Sequence, residues 1–201
     1  MRKIPTIYKR DPENPRYVLP ELVEGCEWVL AGEGIATRKY DGTCVMFDGT
    51  IWWARREVKA GKLPPENFRC IQLDENTGHQ VGWEPIEQSP FVKFHTEALI
   101  NRWGMGDEQA RAYGVEPDWA EGTYELCGPK INGNPEGYEI HRLIAHANAQ
   151  VLPLLSAEYD RLAEWFRQTT EHGWEAAKYE GVVWHHPDGR MAKIKRRDFP
   201  S

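Results

Sequence analysis

Lys39 and Asp41 stand two residues apart in the stretch ATRKYDGTCV, residues 36 to 45, with Gly42 next. On a β-strand that spacing puts both side chains on one face. A lysine amine can attack a phosphoryl centre and form a covalent intermediate. A glycine lets the backbone turn tightly or approach a ligand closely. The same K-x-D-G also reads as a charged strand end running into a turn, so the weight falls on what the rest of the chain supplies.

Four other segments carry matching chemistry. In WWARRE, Arg55 and Arg56 alternate faces, and one of them can grip phosphate oxygens through its planar fork. The plain alternative is a charged strand edge. In GTYELCG, Glu125 sits between Tyr124 and Leu126, where a carboxylate can hold a ribose hydroxyl or help position a metal, or simply face solvent. In EGVVWHHPDG, Glu180 precedes an apolar run and can bind a divalent cation, or serve as a strand-start charge. His185 and His186 invite a zinc reading, but neighbouring strand residues point opposite ways. In MAKIKRRDF, Lys193 and Lys195 share a face while Ile194 turns to the core. Two ammonium groups aimed into one cleft call for an anion between them, and a polyphosphate suits.

These residues need strands to hold them. Ile35 to Lys39 and Cys44 to Phe47 read as strands, and Asp48-Gly49 is a hairpin signal leading to Ile51 to Val58. Phe68 to Leu73, Phe91 to Phe94, Thr123 to Cys127 and Glu180 to His185 read likewise, with Asp188-Gly189 turning the chain into Met191 to Lys195. Trp28 to Leu30 reads as another short strand. Residues 59 to 67 form a proline-containing loop, 74 to 82 are turn-rich, and GPKINGNPEG, residues 128 to 137, is a second loop. Thr96 to Trp103, capped by Thr96, is expected to be helical, as is Ile140 to Leu152. The clearest helix covers 157 to 171, where Tyr159, Leu162, Ala163 and Phe166 recur at i, i+3, i+4, i+7, with Ser156 as cap and Gly173 as stop. Many strands, few helices and no βαβ alternation point to an α+β chain built on antiparallel sheets. The expected organisation is an irregular N-terminal arm over 1–27, with a short strand around Tyr17 to Leu19, and a single domain over 28–201.

Composition narrows the function classes. The 201 residues are 40% apolar and include nine tryptophans, enough for a sizeable core. No run approaches membrane-span length, and the N-terminus lacks the apolar stretch of a signal peptide. The four cysteines show neither C-x-x-C nor zinc spacing, so thiols in a reducing compartment are expected, with the cytoplasm as the location. A net charge of −6 argues against binding nucleic acid by bulk charge, while leaving room for a local basic groove. No glycine-rich phosphate loop is present, which argues against a kinase-like ATP site.

Taken in order, the motifs resemble those of the covalent nucleotidyltransferases, the superfamily of polynucleotide ligases and mRNA capping enzymes. KYDGT resembles the nucleophile motif, ELCG the central strand motif, EGVV the metal-associated carboxylate motif, and KIK the last core motif. The resemblance runs from about residue 33 to residue 199. TYELCG and the small size resemble the RNA-ligase branch more than the DNA-ligase branch, and KYDGTC with RRE and the KLPP loop resembles, more narrowly, its compact 5′-to-3′ RNA ligases. The resemblance implies an ATP-grasp-like ligase core, ATP as nucleotide, and Mg²⁺ or Mn²⁺ as metal. Lys39 would become adenylated. Asp41, Arg56, Glu125, Val183, Lys193 and Lys195 would contact the nucleotide, with Arg55 the second choice after Arg56. Glu180 and Glu125 would hold the metal, and Tyr40 or Val183 would offer a platform to adenine. The partner would be RNA with 5′-phosphate and 3′-hydroxyl ends, with Arg190, Arg196 and Arg197 as candidate contacts. A monomer is expected, acting in the cytoplasm of the encoding cell or of a host infected by a phage or virus. Six residues follow Lys195, too few for the OB-fold of DNA ligases and capping enzymes. DNA end joining, capping-type GMP transfer and a non-catalytic RNA-binding module are the alternatives.

Overall fold

The alternating apolar runs form eleven strands in a computed structural model that describes residues 2–101, 119–152, 156–167 and 178–200. All named strand pairs are antiparallel, and helices flank the sheets, so the α+β class holds. Contacts divide the chain into two compact units: one of residues 1–3 and 41–148, the other of residues 4–40 and 149–201.

The second unit is built on three strands, β3 (Ile35–Lys39), β10 (Gly181–His185) and β11 (Met191–Lys195), ordered β11-β10-β3. Both edges are covered by chain. Lys193 N–H donates to Pro5 O at 2.9 Å, and Ile7 N–H donates to Lys193 O at 2.9 Å. On the far edge, Arg38 N–H donates to Gln150 O and Leu152 N–H to Ala36 O, both at 2.8 Å. A two-stranded pair belongs to the same unit: β2 (Val18–Leu22) overlaps the short strand expected around Tyr17 to Leu19, and β1 (Tyr8–Arg10) forms in a stretch expected to be irregular. Its Ile7, Tyr8 and Val18 are buried with Val182, Ile194, Leu162 and Phe166. That burial fixes a segment whose proline and charge content obscured its pattern.

Helix α3 (Tyr159–Arg167) obeys the expected spacing: Leu162, Ala163 and Phe166 face the core. Ser156 Oγ accepts from Glu158 N–H at 3.4 Å. Ala157 and Glu158 of the expected helix precede α3, and residues 168–171 of it, with Gly173, lie outside the described residues. Helix α1 (Glu27–Leu30) replaces the strand expected over Trp28 to Leu30. A short apolar run does not distinguish the two; here it follows Gly25 at φ 84° and buries Trp28 and Val29.

The first unit carries a six-stranded sheet. Its strands are β4 (Thr43–Phe47), β5 (Trp52–Val58), β6 (Arg69–Leu73), β7 (Gln80–Pro85), β8 (Gly122–Cys127) and β9 (Arg142–Ala145), ordered β6-β7-β5-β4-β8-β9. One face packs Val45, Trp52, Ala54, Tyr124 and Leu126 against helix α2 (Val92–Ile100). Four expectations fail in or at the border of this unit. The turn-rich stretch 74 to 82 ends early, because β7 begins at Gln80 and pairs on both sides. Phe91 to Phe94 opens α2 rather than forming a strand. Thr96 sits inside that helix, its Oγ1 donating to Val92 O at 2.9 Å instead of capping. Ile140 to Leu152 is not helical: Arg142–Ala145 adds an edge strand to β8, and a 3-10 turn follows at His146–Asn148. In each case pairing to a neighbouring strand or packing on a core outweighs local propensity. Trp103 lies outside the described residues. Among the described residues, no helix is long and apolar enough to cross a membrane.

Candidate active site

Strand register assembles a cluster of candidate residues within the three-stranded unit. Across β3, β10 and β11, Lys39 pairs with Gly181 and Gly181 with Lys195; Thr37 pairs with Val183 and Val183 with Lys193. Directly paired residues share a face, so Lys39, Lys195, Lys193, Val183 and Thr37 all project from one side. The opposite side carries Ala36, Val182, Trp184, Ala192 and Ile194 into the core. The K-I-K alternation therefore does what its spacing predicts.

Gly181 lies between the two lysines because nothing else fits. A Cβ there would meet Ile194 O at 2.1 Å and Lys195 Cα at 2.9 Å. With no side chain between the amines, the Glu180 carboxylate reaches both. Lys39 Nζ donates to Glu180 Oε2 at 2.5 Å and Lys195 Nζ donates to Glu180 Oε1 at 2.5 Å. Glu180 is mostly buried, its side chain 10% exposed. Burial by itself pushes its pKa up; the Lys39 and Lys195 ammoniums outweigh that and hold it below the ordinary carboxylate value.

Two flanking tyrosines brace the pair. The Arg38 guanidinium lies 4.6 Å from the Tyr40 ring centroid and 4.2 Å from that of Tyr179. Tyr40 follows Lys39 and Tyr179 precedes Glu180, so one arginine is held between the neighbours of both charged residues. After Lys195 the chain is pinned by Asp198, whose Oδ2 accepts Lys195 N–H at 2.9 Å and whose Oδ1 lies 2.9 Å from Arg10 Nη2. Arg196 and Arg197 are exposed, and Arg190 is tied to Asp188 at 2.7 Å. His186 leaves the strand and lies 2.7 Å from Asp188 and 3.1 Å from Glu33.

A separate cluster of candidate residues belongs to the six-stranded unit. Gly42 N–H donates to Glu125 Oε1 at 3.1 Å. A Cβ at Gly42 would meet Leu126 O at 2.3 Å, so the glycine of K-x-D-G serves close strand packing. Glu125 Oε2 lies 3.0 Å from His146 Nε2, and His146 Nδ1 lies 2.9 Å from Thr123 Oγ1. A carboxylate only accepts, so Nε2 carries the hydrogen. Asp41 is clamped by the GPKINGNPEG loop. Its N–H donates to Glu136 Oε1 at 2.8 Å, and Asn132 Nδ2 donates to Asp41 Oδ1 at 2.9 Å and Gly42 O at 2.8 Å. Ile131, fully buried, anchors that loop, and Asn132 adopts φ 48° beside Gly133 at φ 78°.

The two arginines of β5 part company. Cys44 pairs with Glu125, Val45 with Ala54, and Met46 with Trp53. Arg55, two residues from Trp53, thus shares the face of Glu125. Arg56 shares the face of Ala54, and its Nε lies 3.9 Å from Glu84 Oε2. Alternation announced two faces; only the register says which arginine is on which. Of the site residues expected from sequence, Lys39, Glu180, Val183, Lys193 and Lys195 lie in one unit, and Asp41, Arg56 and Glu125 in the other. Arg38, Tyr179, Asn132, Glu136 and His146 escaped the sequence reading. Only the Asn132-Gly133 pair, a turn signal, marked any of them.

Comparison with known proteins adds the family. The RNA ligase 1 family model matches residues 70–200, well over half of the chain. The chain belongs to the RNA ligase 1 family. It is accordingly a member of an enzyme family of the ligase class. RNA ligase 1 of Pongo abelii is 35% identical over 219 residues, covering 81% of this chain and 66% of that protein. RNA ligase 1 of Danio rerio is 25% identical over 248 residues, covering 94% of this chain and 74% of that protein. The rat protein is 34% identical over 155 residues and is covered over 46% of its length.

Proposed function

We propose that the chain is an ATP-dependent RNA ligase that joins a 5′-phosphate to a 3′-hydroxyl through a lysyl-AMP intermediate on Lys39. The observation that carries this reading is the convergence of Lys39 and Lys195, from strands in register, on the carboxylate of Glu180 just before β10, with Lys193 on the same face. On this reading the antiparallel sheets form an ATP-grasp-like nucleotidyltransferase core.

The Lys39 amine attacks the α-phosphorus of ATP. An N–P bond forms, the bond from the α-phosphorus to the bridging oxygen breaks, pyrophosphate leaves, and the amine loses a proton. Phosphoryl transfer rests on positioning and on neutralising charge. Lys195 and Lys193 supply positive charge on the same face, and Arg55 supplies it on the face of Glu125. Arg38 positions Lys39 and Glu180 through their tyrosine neighbours. Asp41, clamped by Asn132 and Glu136, is a ribose contact. AMP then passes to the RNA 5′-phosphate, and the 3′-hydroxyl displaces it.

The residues fit a hard divalent cation, since Glu180 is a buried carboxylate kept anionic against its burial. Among the described residues no cluster of three His, Cys, Asp or Glu side chains forms a ready-made cage. Mg²⁺ is commonly held by one or two carboxylates plus substrate phosphates, so this is no obstacle. Glu180 in one unit and Glu125 in the other are each candidates to hold it. Bound Mg²⁺ or Mn²⁺ supplies charge stabilisation to the phosphates.

The test is covalent labelling. Wild-type protein incubated with α-labelled ATP and either metal is expected to retain label through denaturation, and Lys39→Ala to retain none. Unlabelled wild-type protein with both metals overturns the proposal.

A further inference from the structure

Glu125 sits in a chain of hydrogen bonds that ends on β9. In the β8–β9 pair, Tyr124 faces Ala145 and Glu125 faces Ile144. One step further along, His146 comes opposite Thr123, where β9 gives way to the 3-10 turn His146–Asn148. Thr123 and Glu125 are two apart on one strand and share a face, so a ring placed there reaches both. His146 Nδ1 lies 2.9 Å from Thr123 Oγ1, and His146 Nε2 lies 3.0 Å from Glu125 Oε2.

The two ring nitrogens have different tasks. Nε2 donates to the carboxylate whatever the charge on the ring, and the Thr123 hydroxyl donates or accepts at Nδ1 to match. Glu125 Oε1 takes Gly42 N–H at 3.1 Å. Each carboxylate oxygen thus has an N–H donor from a different segment, and the Glu125 side chain, 10% exposed, is fixed in both position and tilt. An ionised carboxylate has about four lone-pair sites, and these two donors use two of them. The remaining capacity suits a neutral O–H donor. Asp41, next to Gly42 in the chain, is itself clamped by Asn132 Nδ2 at 2.9 Å. This unit therefore fixes two carboxylates at Gly42, one through the chain and one through its N–H, and a ribose carries two adjacent hydroxyls.

We propose that His146, anchored by Thr123, is a positioning residue that aims the Glu125 carboxylate at a ribose hydroxyl of ATP and so sets the preference for a ribonucleotide. This rests on the RNA-ligase reading. The bond from Nε2 keeps the carboxylate from swinging away from its bond to Gly42. A site built to bond a hydroxyl rejects the analogue that lacks it, because a buried acceptor is then left unpaired. His146 acts on the nucleotide only through Glu125, so its effect belongs to the sugar and not to the phosphates.

The test is self-labelling of the full chain with ATP, 2′-deoxy-ATP and 3′-deoxy-ATP over a range of nucleotide and metal concentrations. Wild-type protein that does not label with ATP defeats the ligase reading itself. Wild-type protein that labels should prefer ATP over at least one deoxy analogue; equal use of all three overturns the inference and leaves the ligase reading standing. In His146→Ala that preference should shrink by about tenfold, through a higher ATP concentration for half-maximal labelling, while use of the deoxy analogue changes little. His146→Gln, whose amide returns an N–H to Glu125, should recover part of the lost preference. A merely structural role lowers labelling with all three nucleotides alike, and that result overturns the inference. So does an unchanged sugar preference with a raised metal requirement, which assigns Glu125 to the cation. If His146→Ala does not melt cooperatively, Thr123→Val gives the same reading: a smaller loss of the same preference is expected, and no loss overturns the inference.

Discussion

Glu180 is the residue on which the nucleophile depends. Its carboxylate holds Lys39 and Lys195 together, and removing it leaves two ammoniums facing each other in a half-buried place. Breaking such a pair costs about 3 kcal/mol. Glu180→Ala should therefore lower the unfolding midpoint and reduce self-labelling by more than about a hundredfold. Since its folded pKa lies below the unfolded value, the stability it contributes is present above the unfolded carboxylate range and is lost on acidification. His95 gives a second pH signal, in the other unit. Burial against Trp52 holds its pKa down, from 6.5 to about 4. The folded protein keeps this imidazole neutral while the unfolded chain takes up a proton below 6.5. Stability is full above that pH and falls by about 3 kcal/mol as pH drops towards 4. Denaturant melts across this window should show the loss in wild type and a smaller one in His95→Leu.

At the scale of elements, two glycines fix strand spacing beside the site. Gly181→Ala drives a methyl group into Ile194 O, and Gly42→Ala drives one into Leu126 O. Each should cost about 2 kcal/mol or more, with self-labelling lost beyond what the change in melting explains, because Lys39, Lys195 and Glu125 hang on those strands. The elements that hold the site were the most legible part of the sequence. Asp48-Gly49 and Asp188-Gly189 marked real hairpins, with Gly49 and Gly189 at φ 89° and 90°. Lys193 and Lys195 alternate with Ile194 as a half-buried strand must. The misread elements have their cause in tertiary contacts: Arg142–Ala145 is a strand because β8 offers an edge, and Phe91 to Phe94 starts a helix that carries Ala98 to the core. Arg55 and Arg56 show the limit most clearly. Period-2 alternation separates them, yet the choice of face is made by Val45 pairing with Ala54, a contact between strands that no local pattern encodes.

For the whole molecule, the K-x-D-G motif is shared between two units. Lys39 ends a strand of one, and Asp41 and Gly42 enter the other. The motif order legible in the sequence thus points to candidate residues, but not to their division between two separately packed cores. Sequence alone also left acceptor, nucleotide and capping alternatives open; the RNA ligase 1 match placed the chain in its family. The central claim remains one bond, between the Lys39 amine and AMP. The most direct measurement is tandem mass spectrometry of the protein after incubation with ATP and Mg²⁺ or Mn²⁺, without RNA. An acid-labile adenylate on the peptide bearing Lys39 is the predicted result, and an adenylate on another residue, or none with either metal, would contradict it.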